Sequence, residues 1–150
     1  MDDCERVQEG DAHGYCLDDQ VGFLLRRANQ RHRAIFSAEM PIKIPPTQFA
    51  ALAKLGEVGE VSQNLLGRLT AMDSATVAGV VARLADAGWV KTSHSETDAR
   101  TSVVSLTPPG REVLDSLLQP ALNATEKTMV CLSDQDRAEC LRILRLLSQD

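Results

Sequence analysis

Apolar residues recur at helical spacing near the start of the chain and predict a long helix that begins at about Leu17. They form one stripe: Val21, Leu24, Leu25, Ala28, His32, Ile35 and Phe36. The stretch "PIKIPP" ends this helix, because proline lacks the backbone donor and clashes with the preceding turn. A second helix is expected to begin at Pro46 or Thr47 and to be stopped by Gly56 and Gly59.

The stretch "VSQNLLGRLTAMDSATVAGVVARLADAGWV" predicts two helices joined by a tight turn. Ser62 can cap the first helix, which runs to Leu69, and Asp73 or Ser74 can cap the second. Gly88 is suited to close the second helix. Its inward positions are apolar: Val77, Val80, Val81 and Leu84. Two short helices and a tight turn form a helix-turn-helix arrangement.

Two β-rich runs follow, at residues 89–93 and 102–106, and the polar loop between them carries Asp98 and Arg100. A further helix begins at about Pro109 and is expected to kink at Pro120. Ser133 can cap a last helix, whose apolar positions are Leu141, Ile143, Leu144 and Leu147. The predicted fold is therefore mainly α with a small β-hairpin wing, and residues 1–16 are expected to be a disordered tail.

Composition limits the classes of function that the chain can have. It has 150 residues, which favours one domain, and a net charge of −5, so no general basic field attracts nucleic acid. Residues 40–111 are nearly neutral, with 7 Lys or Arg and 6 Asp or Glu. The sequence contains no phosphate-binding glycine loop, nucleophile elbow or metal-ligand set, so we expect neither an enzyme nor a cofactor.

The four cysteines show no pairing pattern, and no apolar run is long enough to span a membrane. We therefore expect a cytoplasmic protein with reduced thiols and no membrane partner. The cysteines are Cys4, Cys16, Cys131 and Cys140.

The order of these elements resembles the MarR family of bacterial winged helix-turn-helix regulators. The most specific part is "LGRLTAMDSATVAGVVARLADAGWVKTSHSETDARTSVVSLTPPGREVL", with Asp98-x-Arg100 in the wing and Gly110-Arg111 after it. The resemblance implies a homodimer joined by helices in residues 17–45 and 109–150, around a DNA-binding lobe at 46–108. It also implies a palindromic DNA operator and regulation by a small molecule.

The resemblance assigns DNA contacts to the helix pair and the wing. Arg100 would enter the minor groove, where negative potential is concentrated, and Asp98 would orient it; the alternative is a solvated ion pair worth little. Ala78 and Gly79 stand where the family often has polar or basic residues, which predicts little base reading by hydrogen bonds. The other candidate DNA contacts are Gln63, Asn64, Ser74, Thr76, Gly79, Arg83 and Lys91.

The candidate effector site lies on the first helix. Arg31 and His32 would bind a ligand carboxylate or hydroxyl, and Phe36 and Phe49 would supply apolar walls for an aromatic ring. The resemblance favours a repressor of aromatic or heteroaromatic acid breakdown. Three alternatives stay open: a structural role for His32, a protein-interaction module without DNA, and a cysteine-based redox sensor. The last is disfavoured because Gly22 occupies the place of the reactive cysteine in the peroxide-sensing branch.

Overall fold

The computed structural model describes residues 14–94 and 102–149. Within these ranges the chain forms six α-helices and three short strands, after one 3-10 turn at Leu17–Asp19. The mainly α fold with a small β wing is therefore confirmed. The elements are α1 (Val21–Glu39), α2 (Pro46–Val58), β1 (Val61–Ser62), α3 (Gln63–Leu69), α4 (Ser74–Asp86), β2 (Val90–His94), β3 (Ser102–Leu106), α5 (Pro108–Thr128) and α6 (Asp134–Leu147).

The strands form one antiparallel sheet in the order β1-β3-β2. Val104 of β3 is the centre of the sheet, since it pairs with Val61 on one side and with Thr92 on the other, and it is fully buried. The hairpin of β2 and β3 was predicted, but β1 was not. Two residues give no periodic pattern that sequence analysis can detect.

The core lies where α2, α3, α4 and α5 meet the sheet. Its fully buried large side chains are Leu52, Leu55, Leu66, Leu84, Leu117, Val77, Val80 and Val104. The predicted inward face of α4 is thus confirmed. α1 joins this core through Phe36, and its last residue, Glu39, accepts a hydrogen bond from Nζ of Lys127 on α5.

The expectation that Gly56 stops α2 is wrong, because the helix continues to Val58 and ends at Gly59, which has a positive φ of 79°. A Cβ atom at Gly56 would lie 2.5 Å from Cδ2 of Leu114 on α5. The glycine lets α2 and α5 approach closely, and this tertiary packing outweighs its low helix propensity. The helix α5 continues through Pro120, the position at which a kink was predicted.

Side-chain caps begin four of the helices. The hydroxyl oxygens of Ser62, Thr107 and Ser133 accept hydrogen bonds from backbone N–H groups in the first turns of α3, α5 and α6. Asp73, and not Ser74, caps α4. At the other end of α4 the N–H groups of Gly88 and Trp89 donate to Ala85 and Leu84, which is a Schellman motif.

Two expectations about the chain's environment can be compared with the structure. Cys16 forms a disulfide bond, so the prediction of four reduced thiols is wrong; Cys131 and Cys140 are free. Within residues 14–94 and 102–149, no single helix is long and apolar enough to cross a membrane. Only α3 and α4 together have sufficient length and apolar content, and they are bent by 110°.

Candidate functional site

The helices α3 and α4 meet at an angle of 110°, which lies in the range of helix-turn-helix motifs. The turn between them is tight, because the N–H of Met72 donates to the carbonyl of Gly67 at 2.9 Å. A Cβ atom at Gly67 would lie 3.1 Å from the Met72 carbonyl oxygen. Ala71 adopts a positive φ of 53° to complete the turn. This geometry fixes α4 relative to α3 and leaves its outer side free.

The outer side of α4 carries four of the predicted DNA contacts. Ser74, Thr76 and Arg83 are exposed, and Gly79 is half-buried. The backbone N–H of Thr76 donates to Oδ1 of Asp73 at 2.7 Å. Hydrogen bonds from the Thr76 backbone and then from its hydroxyl hold the pKa of Asp73 below its ordinary value. The cap therefore keeps a negative charge at the positive end of α4 at neutral pH.

The other predicted DNA contacts lie on neighbouring elements. Gln63, which is half-buried, and Asn64, which is exposed, begin α3, and Lys91 is exposed on β2. Asp98 and Arg100 lie outside the residues that the structure describes. The strands that carry their loop are described, and His94 pairs with Ser102 at its base.

A cavity of about 510 Å³ lies between α1, the end of α5 and α6. That volume is within the usual range of small-molecule sites. Among the described residues that line it there is no Lys, Arg, Asp or Glu, and His32 has the only imidazole. The lining residues are Leu25, Ala28, Asn29, His32, Thr125, Thr128, Met129, Cys131, Leu132, Cys140, Leu141 and Leu144.

His32 is held in the cavity wall by Thr128 of α5. Nδ1 of His32 lies 2.8 Å from Oγ1 of Thr128, and that hydroxyl donates to the carbonyl of Ala124 at 2.7 Å. Because the hydroxyl has a single proton, which goes to Ala124, Nδ1 must carry the proton of its own hydrogen bond. In neutral His32 this leaves Nε2 as an acceptor, and no hydrogen bond joins it to another of the described residues.

The four predicted ligand residues are only partly brought together. The rings of His32 and Phe36 are 6.2 Å apart and those of Phe36 and Phe49 are 5.6 Å apart, so the three form a row. Of these four residues, only His32 lines the cavity of about 510 Å³; Phe36 instead borders a smaller one of about 400 Å³. Nη1 of Arg31 lies 3.7 Å from Sγ of Cys131, which is at the wall of the first cavity.

Sequence reasoning missed Thr128 and Asn29. Thr128 is 96 residues from His32, and no spacing pattern connects them. Asn29 lies one turn before His32 on the same face of α1, and this spacing was the only sequence feature that could have predicted its place beside His32. Among the residues that the structure describes, no cluster of three or more His, Cys, Asp or Glu could hold a metal ion.

Comparison with known proteins identifies the family. The MarR family model matches residues 42–101, which include the helix-turn-helix and the first hairpin strand, β2. The HTH-type transcriptional repressor NicR of Pseudomonas putida is 37% identical over 87% of this chain and 84% of its own length. The chain belongs to the MarR family. It is therefore a transcriptional regulator, and the relatives it matches are named as regulators and not as enzymes.

Two solved MarR-type structures match this chain closely. A probable transcriptional regulator from Pseudomonas aeruginosa is 45% identical, with a TM-score of 0.86 over 88% of this chain and 99% of the other. BpsR of Bordetella bronchiseptica is 37% identical, with a TM-score of 0.88 over 92% and 99%. DNA binding by BpsR is regulated by 6-hydroxynicotinic acid.

Proposed function

We propose that this MarR-type regulator is a repressor that leaves a palindromic operator when a small aromatic or heteroaromatic acid binds beside His32. The observation that carries the proposal is the mostly apolar cavity with one imidazole whose Nδ1 is already bonded. Likeness to a repressor and to a regulator that responds to 6-hydroxynicotinic acid supports it, each at 37% identity.

The lining suits a flat ring with few polar groups. Leu25, Leu141 and Leu144 offer apolar contacts to the ring faces, and Nε2 of His32 accepts from a ring hydroxyl or ring N–H. Protonated His32 would instead donate to a carboxylate. Arg31, the preceding residue of α1, supplies a cation at the rim. The ring of Phe36 packs near the imidazole, and that of Phe49 packs against Phe36.

The DNA-bound state that we propose places α4 of each protomer in a major groove. Ser74, Thr76, Gly79 and Arg83 then face the groove and its phosphates, while Gln63, Asn64 and Lys91 contact the backbone. Asp98 and Arg100 of the wing reach the adjacent minor groove. Two protomers, joined by α1, α5 and α6, match the two halves of a palindrome.

The helix α5 offers a path for the effector to change DNA binding. It begins at Pro108, directly after the wing strand β3, and it ends at Thr128, which holds His32. A ligand that displaces α1 or α6 from the end of α5 changes the position of the wing and α4 relative to the partner lobe. The effector favours a lobe spacing that no longer fits successive major grooves.

The test is operator release. Duplexes selected from random DNA with the full chain are used in gel shifts with 6-hydroxynicotinate, benzoate and, as the non-aromatic control, cyclohexanecarboxylate. Release by an aromatic acid and not by the control supports the proposal. Operator binding that no aromatic or heteroaromatic acid weakens at millimolar concentration contradicts the effector assignment.

A second candidate, the cysteine-based redox sensor, has one observation in its favour. Both free thiols that the structure describes, Cys131 and Cys140, line the cavity. Nη1 of Arg31 lies 3.7 Å from Sγ of Cys131. Treatment of the operator complex with hydrogen peroxide, for the native chain and for Cys131→Ser with Cys140→Ser, separates the two candidates. Release by peroxide that both serines abolish favours the redox sensor.

A further inference from the structure

The outer face of α4 has methyl groups where recognition helices usually have hydrogen-bonding side chains. Ala75, Ala78 and Ala82 are exposed and Gly79 is half-buried, and their spacing places all four on one stripe of the helix. The opposite face is fixed in the core by four buried residues, so the stripe cannot turn inward. Thr76, beside the stripe, adds one methyl group and one hydroxyl.

The fold itself does not require glycine at position 79. A Cβ atom there would meet only Nη1 of Arg83, at 3.8 Å, which is an ordinary van der Waals distance. Gly110 is different, because its Cβ would lie 1.8 Å from the carbonyl oxygen of Trp89. Glycine inside a helix is less stable than alanine. The chain therefore has a helix-destabilising residue at a half-buried position that alanine would fill without a clash.

We propose that Gly79 lets α4 approach the floor of the major groove closely, and that the helix selects thymines through methyl contacts from Ala75, Thr76 and Ala78. The inference rests on the DNA binding proposed above. The thymine C5 methyl is the apolar group that base pairs present in the major groove, so methyl side chains distinguish T·A from C·G pairs there. Arg83, at the far end of the stripe, would contact phosphate and not a base.

Replacing thymine by deoxyuridine tests the methyl contacts directly, because it removes one methyl group and keeps every hydrogen-bonding group. The probes are the selected operator with single replacements in the half-site, and the control replacements lie outside it. We expect about a fourfold loss of affinity for each contacted methyl group. A C·G pair at such a position should regain affinity when its cytosine carries a 5-methyl group.

The variant Gly79→Ala tests the close approach. It should raise the melting temperature, since alanine is the better helix former, and weaken operator binding by about tenfold, since the added methyl meets DNA. A higher melting temperature excludes misfolding as the cause of the loss. The matched control is Gly22→Ala on α1, where a Cβ meets nothing within 4 Å and operator affinity should stay unchanged.

The outcomes separate this inference from the proposed function. Tight operator binding that neither deoxyuridine replacement nor Gly79→Ala weakens overturns the inference and leaves the repressor proposal standing. A native chain that selects no duplex from random DNA overturns both. Loss of affinity with both changes, and not with the Gly22→Ala control, supports the methyl contacts and the close approach together.

Discussion

The hydroxyl of Thr128 connects His32 to α5: its oxygen lies 2.8 Å from Nδ1 of the imidazole and it donates to the carbonyl of Ala124. This hydrogen bond orients the imidazole and links α1 to α5, two helices that are far apart in the sequence. Within the part of the chain that the structure describes, Nε2 has no hydrogen-bond partner. The geometry therefore provides the pre-oriented polar group that a small-molecule site requires.

The variant His32→Ala should leave operator affinity close to that of the native chain and raise the effector concentration needed for release by about tenfold or more. The reason is the loss of a hydrogen bond to a polar ligand group in an apolar cavity. Gel shifts across an effector titration measure both quantities.

The control for this prediction is Thr128→Val, which removes the orienting hydroxyl but keeps the imidazole. It should reduce effector sensitivity less than His32→Ala does. A purely structural His32 gives a different result: the alanine variant would melt several degrees lower and still release DNA at the native effector concentration. That outcome would show that the ligand role of His32 is wrong.

Sequence patterns predicted the helices and caps well because those features are local. The stripe Val77, Val80, Val81 and Leu84 follows helical periodicity, and the cap at Asp73 follows from one residue type before an apolar run. Features set by contacts between distant segments were missed or misinterpreted. From the sequence alone Gly56 is expected to end α2; the structure shows that it instead lets α5 pack closely against that helix.

The candidate site shows the same division. The place of His32 on α1 follows from periodicity, but its hydrogen bond to Thr128 and the cavity beside it depend on how α1, α5 and α6 pack. The disulfide at Cys16 could not be predicted either, because the spacing of the cysteines in the sequence does not show which of them pair. Local chemistry was predictable, and long-range proximity was not.

Gly110→Ala should destabilise the chain strongly. The added Cβ would lie 1.8 Å from the Trp89 carbonyl oxygen and 2.7 Å from its carbon, and backbone atoms cannot rotate away. The N–H of Gly110 also donates to the hydroxyl oxygen of Thr107, which caps α5, so the start of α5 would have to move. We expect a loss of about 3 kcal/mol or more in the free energy of unfolding.

Urea unfolding followed by circular dichroism measures this loss. Gly79→Ala is the matched control, because it adds the same methyl group to a helix without a clash and should increase stability. Equal stability of Gly110→Ala and the native chain would show that the approach of α5 to Trp89 is looser than the structure has it.

The charge of Asp73 predicts a pH dependence. The Thr76 hydrogen bonds lower the pKa of Asp73 in the folded chain below its unfolded value of about 3.9. The stabilisation from this carboxylate is therefore fully present above that value and is lost as the pH falls through the lower, folded pKa. Asp73→Asn keeps a capping side chain but has no carboxylate to protonate.

Unfolding of the native chain and of Asp73→Asn should be compared between pH 7 and pH 2.5. Their stability difference should be constant above about pH 5 and should shrink at lower pH, because only the native chain loses a charged cap. A stability difference that stays constant throughout this range would mean that Asp73 has the same pKa in the folded and unfolded chains.

The apolar residues that α1, α5 and α6 leave exposed predict a dimer. Leu24 is 47% exposed, Leu122 58% and Leu147 63%, and α6 buries none of its residues in the single chain. Apolar surface of this extent marks an interaction face, and a second copy presents the same three helices. We therefore expect a dimer in sedimentation and light scattering.

The variant Leu147→Glu should shift that dimer toward monomer and weaken operator binding, since an unpaired charge is costly in an apolar interface and a single lobe binds only half of a palindrome. Gln149→Glu adds the same charge just beyond α6 and should change neither property.

Removal of residues 133–150 should cause aggregation or unfolding, because the apolar faces of α1 and α5 lose their cover. A truncated chain that stays folded, monomeric and soluble would contradict the dimerisation role of α6.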